Sequence, residues 1–439
     1  MEKDENPPNM NRLILISGFF SGETQKKKVD YFERLEEFLC PAGYRLLIVN
    51  LGQWPIRTTC DSMNVPGYIA ENHHQGSRDY LKMEDLPPEL IHAAAVEAED
   101  RSTRLPGAGM RVLLYYAYMR QLLLDQQPAM CVMWHEFNMF HFALTHLCRR
   151  LGVPYRYIEY GVLPGTVNFD AEGQMAESWV ARKYEHFRDL PVQPSDLQRG
   201  RELLELAREN QLCRKTQPTG VSVAPLIEKA RSKGRRVIFY GGQNDWASGM
   251  MPRWAPCAKI HSPHYESTLD GLAHLVEVAC ALDAQVLFKP HPMVEERHKE
   301  FRVVDPDRVN LVVGANIFEC IDQCDLTATI LSQLGYHAVI RHRPLLLMGT
   351  NHLYKKGCSY DLASRRLLES LTRKALERGF DEGMRDKLDR HVAQLCKYYL
   401  FGIDPDVAHL IKRDVDAAAQ YLLREIADSH QPRPGSRGI

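Results

Sequence analysis

Between Arg12 and Gly349 the chain alternates short apolar runs with longer stretches of helical period, and this alternation restricts the fold more than any other feature. "RLILIS" (Arg12–Ser17) leads into the helical pattern "VDYFERLEEFL" and then into a second apolar run, "YRLLIVNLG". After "MRVLLYYAYMRQLLLD", which reads as a helix, the order repeats as strand "AMCVMWHE", helix "NMFHFALTHLCRRLG" closed by Gly152, and strand "VPYRYIEYG". It resumes with strand "RRVIFYGG", helix "ESTLDGLAHLVEVACALD", strand "AQVLFKPHP", strand "VNLVVG", short helix "IFECIDQC", strand "DLTATI", helix "SQLGYHAVIRHR" and strand "PLLLMG". Strands alternating with helices imply an α/β protein with mostly parallel sheets covered by helices.

A chain of 439 residues is too long for one ordinary core. The pattern breaks between Pro191 and Arg236, where the chain is polar, charged and helix-prone, with "RKTQPTGVS" as its weakest stretch. The expected division is a Rossmann-like domain over 1–190, a helical linker over 191–234 and a second Rossmann-like domain over 235–362. C-terminal helices over 363–429 and a disordered tail over 430–439 complete it. The polar, turn-rich segment from Gln53 to Pro106 is long for a connection, so short helices and one wall of a cleft are expected there. Two doubly wound domains facing one another place the carboxyl ends of both sheets around a central cleft, the usual ligand site of open parallel sheets.

Composition excludes several functions. The formal net charge is -1, with 25% charged residues, so no global basic field points to nucleic acid. The opening "MEKDENPPNMN" is acidic and polar, unlike a secretion or transit segment, and no apolar run reaches the roughly 18 residues of a membrane span. Eleven cysteines are scattered singly, often inside apolar patterns, which suits reduced core thiols and a cytoplasmic location.

The run "VLFKPHPM" (Val286–Met293) ends a buried strand in Lys289 and His291, which alternate and share a face, while Pro290 and Pro292 fix the backbone. A cation and an imidazole held at a strand end suit a phosphate; a strand terminator with a solvated lysine is the plainer alternative. Two strands later, "TATILSQLGYHAVI" places Ser332 and Gln333 where strand gives way to helix, with Gly335 in the first turn. Helix amides there would also receive phosphate, although serine caps occur without ligands.

The segments "YIEYGVLPG", "GGQNDWAS", "LFKPHP" and "SQLGYHAVIRHRPLLLMG", in that order from Tyr157 to Gly349, resemble the motif series of bacterial capsule polysaccharide transferases that handle Kdo, an eight-carbon acidic sugar carried as its CMP ester. The resemblance implies a GT-B type glycosyltransferase with residues 1–190 on the acceptor side. It places Lys289, His291 and Pro292 with Ser332 and Gln333 at the CMP phosphate, alongside Gln243. It makes Asp245 the catalytic carboxylate and puts Glu159 near the acceptor hydroxyl. CMP leaves as a stabilised phosphate and needs cations rather than a strong acid, so a retaining transfer with Asp245 as nucleophile and Glu159 as acid/base is the expected chemistry, without a metal. The expected partners are a CMP-activated acidic sugar and a glycan or lipid-linked acceptor, with peripheral contact at the inner face of the plasma membrane. Two departures stand out: Trp246 occupies the place of a second acidic residue, and "TNHLYKKGCSYDL" replaces an aromatic, Gly-rich stretch. A CDP-glycerol-type phosphotransferase and a non-catalytic nucleotide-sugar-binding protein are the competing readings.

Other polar groups have two readings each. His135, Glu136, His141 and His146 lack the His-Glu-x-x-His spacing of a zinc helix, so His135 and Glu136 are acceptor-side candidates instead. Asp170 and Glu177 are secondary carboxylates or turn residues. His261 and His264 either approach the anionic sugar or flank the Ser262–Pro263 turn. Lys355, Lys356, Arg365 and Arg366 fit a solvated helix face or a contact with anionic lipid.

Overall fold

The computed structural model describes residues 12–22, 25–65, 88–100, 102, 104–211, 217–218 and 220–429. The anticipated tail beyond residue 429 and part of the polar segment after Gln53 lie outside them. The described chain is α/β and contains two sheets, each of which belongs to its own compact unit.

The first sheet contains β1 (Arg12–Gly18), β2 (Tyr44–Asn50), β3 (Asp61–Asn64), β4 (Met130–Trp134), β5 (Tyr155–Tyr160) and β6 (Thr166–Asp170). The second contains β7 (Arg236–Gly241), β8 (Ala284–Lys289), β9 (Val309–Leu311), β10 (Leu326–Thr329), β11 (Leu345–Leu347) and β12 (Tyr360–Asp361). A last strand, β13 (Leu400–Gly402), returns to the first sheet, whose order is β13-β6-β5-β4-β1-β2-β3. The second sheet runs β12-β11-β10-β7-β8-β9 with every neighbouring pair parallel. In both sheets the first strand of the unit is internal, and the chain winds outward first on one side and then on the other. That is the doubly wound arrangement.

The strands form because their residues are apolar on both faces. β4 and β10 are buried throughout, and β1, β7 and β8 are exposed or half-exposed at one end only. Helices cover them. In the second unit Leu272, Leu275, Val276 and Ala279 of the helix Thr268–Ala281 pack on Ile238, Val286 and Phe288 of the sheet. In the first, Val112, Tyr115 and Met119 of the helix Leu105–Gln126 and Ala143, Leu144 and Leu147 of the helix Met139–Leu151 pack on Leu15, Cys131 and Met133. Each fully buried aliphatic or aromatic side chain of this kind contributes about 1.5–3 kcal/mol. The helix Met139–Leu151 begins at an Asn138 cap, whose side chain accepts from the His141 amide, and ends at Gly152 in the left-handed conformation, φ 69°.

The units divide the chain differently from the linear scheme. Of the described residues, the first comprises those up to Glu159, Val167–Gln174 and those from Phe401 to Ser429; the second comprises those of Tyr160–Thr166 and Met175–Leu400. The described part of the expected linker is packed within the second unit. Its helix Pro194–Glu209 lies so close to the helix Glu382–Tyr398 that a side chain on Gly200 would meet the Ala393 backbone, and Arg201 pairs with Asp389 at 2.6 Å. The C-terminal region likewise belongs partly to the second unit and partly to the first. The polar segment before Pro106 holds β3 and the helix Pro88–Asp100.

Candidate functional site

In the second unit, the strand order reverses between β7 and β10, and the loops that follow these strands diverge there. Such a topological switch is where doubly wound sheets open a crevice. Gly241 ends β7 opposite Lys289 of β8. A Cβ on Gly241 would lie 2.0 Å from Leu334 Cδ2, and one on Gly242 would press on Thr268 and Phe288, so the two glycines let the loops approach. Gln243 then spans the switch. Its Nε2 donates to Thr268 Oγ1 at 3.2 Å, and its Oε1 accepts from the Leu331 amide at 3.3 Å.

Asp245 sits in the loop after β7, folded by its neighbour Asn244, whose Oδ1 accepts from the amides of Trp246 and Ala247. Asp245 is only 9% exposed. Its carboxylate accepts from the Thr268 amide at 3.0 and 3.2 Å and from Thr268 Oγ1 at 2.5 Å. Thr268 opens the helix Thr268–Ala281, so Asp245 places a negative group at its positive end. Burial raises the Asp245 pKa, while the Thr268 bonds and the nearby His298 act in the opposite direction. His298 is itself buried and its pKa is lowered by burial. The carboxylate that the motif resemblance singles out is thus buried and held by a threonine. Neither Thr268 nor His298 stood out in the sequence, because their proximity to Asp245 spans 23 residues for the first and comes from the turn after β8 for the second.

Lys289 is half-buried at the end of β8, its backbone carbonyl accepting from the Gly242 amide at 2.9 Å. Burial lowers its ammonium pKa. His291 Nδ1 accepts from the Met293 amide at 3.2 Å, so the neutral ring carries its proton on Nε2 as a donor, and Pro292 opens the 3-10 turn that fixes it. Across β7, Ser332 Oγ accepts from the Leu334 amide at 3.3 Å, and the Ser332 amide donates to Thr329 Oγ1 at 3.4 Å. Gln333 holds the N-cap position of the seven-residue helix Leu334–Ile340 without a side-chain cap bond. The ends of β8, β7 and β10 thus bring Lys289, Gln243 and Ser332 to one edge of the sheet. His264 is elsewhere: its Nε2 meets the Leu362 carbonyl at 3.1 Å, and its own carbonyl accepts from Arg365, so it serves the turn rather than an open site.

The first unit has its own switch, between β1 and β4. His141 is fully buried there, with Nε2 3.1 Å from Ser17 Oγ and Nδ1 against the His135 carbonyl, and burial pushes its pKa down to about 3. His135 follows β4 with φ 74°, a left-handed backbone unusual outside glycine. Glu136 exchanges bonds with Gln174: its amide donates to Gln174 Oε1 at 2.8 Å, and its Oε2 accepts from the Gln174 amide at 2.9 Å. Glu159 is buried on β5, 8% exposed. Asp170 Oδ1 accepts from the amides of Glu172 and Gly173, the turn role offered as its alternative. Glu177 lies in a short 3-10 helix. Among the described residues no group of three or more His, Cys, Asp and Glu side chains is placed to hold a metal ion, and no helix is long and apolar enough to cross a membrane.

Residues 257–388 match the family described as capsule polysaccharide biosynthesis protein. The matched segment takes in Lys289, His291, Ser332 and Gln333, so the resemblance read from the motifs is met there; Asp245 and Glu159 lie outside it. Among solved structures, the chain is similar to the beta Kdo 2,7 transferase of KpsC from Thermosulfurimonas dismutans, at 16% identity over 64% of this chain and 80% of that one, with a TM-score of 0.40. The beta Kdo 2,4 transferase of the same KpsC matches at 14% identity over 65% and 88%, with a TM-score of 0.46. A UDP-GlcNAc 2-epimerase from Neisseria meningitidis, bound to UDP-GlcNAc, matches at 9% identity over 95% and 100%, with a TM-score of 0.39. The chain has no match among curated proteins.

Proposed function

We propose that this chain is a glycosyltransferase of capsule-type polysaccharide synthesis that takes an acidic sugar, Kdo first, from a CMP-activated donor and delivers it to a glycan or lipid-linked acceptor at the cytoplasmic face of the membrane. The observation that carries the reading is the edge formed by Lys289, His291 and Ser332 beside a topological switch, inside the segment that matches the capsule family. A half-buried ammonium and an Nε2–H donor stabilise a departing phosphate without a metal. The carboxylate chemistry belongs to Asp245 as nucleophile of a retaining transfer, with Glu159 acting on the acceptor hydroxyl. Thr268 holds the Asp245 carboxylate through its amide and its hydroxyl, and the Gln243 side chain also bonds it, which fixes the orientation of the group proposed to attack.

A thermal-shift panel of CMP, CDP, UDP, GDP and ADP tests the donor. CMP at about 100 times its dissociation constant stabilises the chain by roughly 2.7 kcal/mol, and His291→Ala removes the effect. A response to CDP alone would point to the glycerol-phosphate chemistry instead, and silence across the panel would overturn the donor reading. Asp245→Asn separates catalysis from architecture: transfer from CMP-Kdo falls at least about 10³-fold while CMP affinity holds, the signature of an interaction made only in the transition state. Loss of CMP binding together with the fold would make Asp245 a purely structural carboxylate. Transfer in excess chelator equal to that without it is the expected outcome of metal independence.

A further inference from the structure

Two of the basic residues offered above for a solvated helix face or a lipid contact, Lys355 and Lys356, fall in the segment that departs from the capsule motif series, "TNHLYKKGCSYDL", and the fold puts them on no helix. Both lie in a turn, and Lys356 is 4% exposed. They border a cavity of about 370 Å³ within the second unit, lined also by Arg188, Lys387, Arg390 and His391. That volume falls within the range of about 300–1,000 Å³ typical of small-molecule sites. Five of the lining residues are lysines or arginines and one, Asp189, is a carboxylate, which leaves a formal excess of four positive charges.

The local bonding leaves this charge largely uncompensated. Asp189 pairs with Arg188 at 3.2 Å. Lys356 Nζ donates to the carbonyls of Val180 at 2.9 Å and Tyr354 at 3.3 Å, and none of the described carboxylates forms an ion pair with it. The nearby Asp361 is engaged by Ser359 Oγ and the Lys355 amide. Two carbonyls use two of the three ammonium protons. Burial draws the Lys356 pKa down to about 7; Cys358 and Asp361 act in the opposite direction without offsetting it, and Arg188 adds to it. His391, 2% exposed, meets Tyr336 Oη through Nε2 at 2.9 Å, while its Nδ1 is buried without a hydrogen-bond partner. Gly357, at φ 81°, has the Lys387 stem where a Cβ would sit, 2.6 Å from Cδ, so the turn also fixes that side chain. Arg390 spends one donor on the Leu190 carbonyl and keeps the rest of its fork.

We propose that this cavity is a second anion site of the unit, built to receive a phosphate group on Lys356, Lys387, Arg390 and His391. The phosphate supplies the counter-charge the fold omits and an acceptor for the unpaired donors. A free or small-molecule phosphate and a lipid headgroup carry the same chemistry, and the test distinguishes them. Isothermal titration with inorganic pyrophosphate is made on full-length Lys289→Ala/His291→Ala protein, which silences the strand-end site and so separates this proposal from the donor reading. Saturable one-site binding is expected, weakened at least about 10-fold when the exposed Lys387 and Arg390 are both changed to alanine, as loss of two charge-assisted contacts requires. Absence of saturable binding, or an affinity untouched by the Lys387 and Arg390 changes, overturns the site. The second arm is co-sedimentation with vesicles of phosphatidylcholine and phosphatidylglycerol. Capture that pyrophosphate displaces and the double change abolishes assigns a headgroup phosphate; pyrophosphate binding with no capture assigns a soluble one. Capture that pyrophosphate leaves unchanged places the membrane contact elsewhere and counts against the cavity.

Discussion

Thr268 shows how much one hydroxyl can organise: it donates to Asp245, receives Gln243 Nε2, and stands at the first position of a helix. Thr268→Val keeps the shape and deletes the hydroxyl, leaving a buried carboxylate with one donor fewer; a loss of about 1.5–3 kcal/mol is expected in urea unfolding, because the bond is to a charged group. Thr268→Ser retains the hydroxyl and most of the stability, whereas equal stability of the valine variant would show the network to be idle. A second residue-scale consequence concerns acid. His352 is fully buried and its pKa is held down to about 3 by burial, with Lys356 acting in the same direction. The unfolded chain protonates this group near 6.5 and the folded chain does not, so between about pH 3 and 6.5 the unfolded state binds more protons and stability is lost as the pH is lowered. Between pH 7 and pH 5 the term is about 2 kcal/mol. His352→Leu lacks it, so urea titrations at the two pH values should show the variant losing less stability by that amount. Identical losses would mean that His352 titrates normally.

At the level of elements, the glycines after β7 explain why the loops of the switch can meet. Gly241→Ala drives a methyl into Leu334 and costs about 1–3 kcal/mol, as overpacking does, but less than about 1 kcal/mol in the Leu334→Ala background where the space has been cleared. A double-mutant cycle by thermal unfolding measures this, and additive costs would place the strain elsewhere. Strands and helices of this kind were legible in the sequence because each carries its own apolar period, and the end of β8 with Lys289 and His291 could be placed from residues alone. The bonds that finish the site were not. Gln243 to Leu331 spans 88 residues and Asp245 to Thr268 spans 23, and a single sequence holds no local signal for either. The same limit hid β13, three residues long, and the burial of Lys356, whose neighbours Val180 and Phe187 come from a distant stretch of chain.

For the whole molecule, the alternation of strands and helices predicts two Rossmann-like halves in succession, and the chain instead leaves the first unit and comes back to it. Phe401 on β13 packs its ring edge-on against Phe169 at 5.6 Å and lies under the Arg413 guanidinium at 3.9 Å. The Gly402 amide donates to the Arg413 carbonyl at 2.7 Å, Lys27 pairs with Asp404 at 3.3 Å, and Arg156 pairs with Glu425 of the helix Val415–Ser429. A side chain on Gly402 would meet the Ala408 backbone at 2.6 Å, so the return is tightly fitted. Ending the chain after Leu400 removes an edge strand of the first sheet, uncovers Phe169 and leaves Arg156 without its carboxylate. The second unit, complete within Tyr160–Leu400, loses none of Gln243, Lys289, His291 or Ser332. The truncated chain should therefore lose the helix and sheet signal of the first unit in circular dichroism while binding CMP within about threefold of the full chain, a difference below about 1 kcal/mol. Retention of the full signal would show that the first sheet closes without its C-terminal strand. Loss of CMP binding in a truncated chain whose second unit still melts cooperatively would mean that the donor contacts are not confined to the second unit, and the proposed site would have to be redrawn.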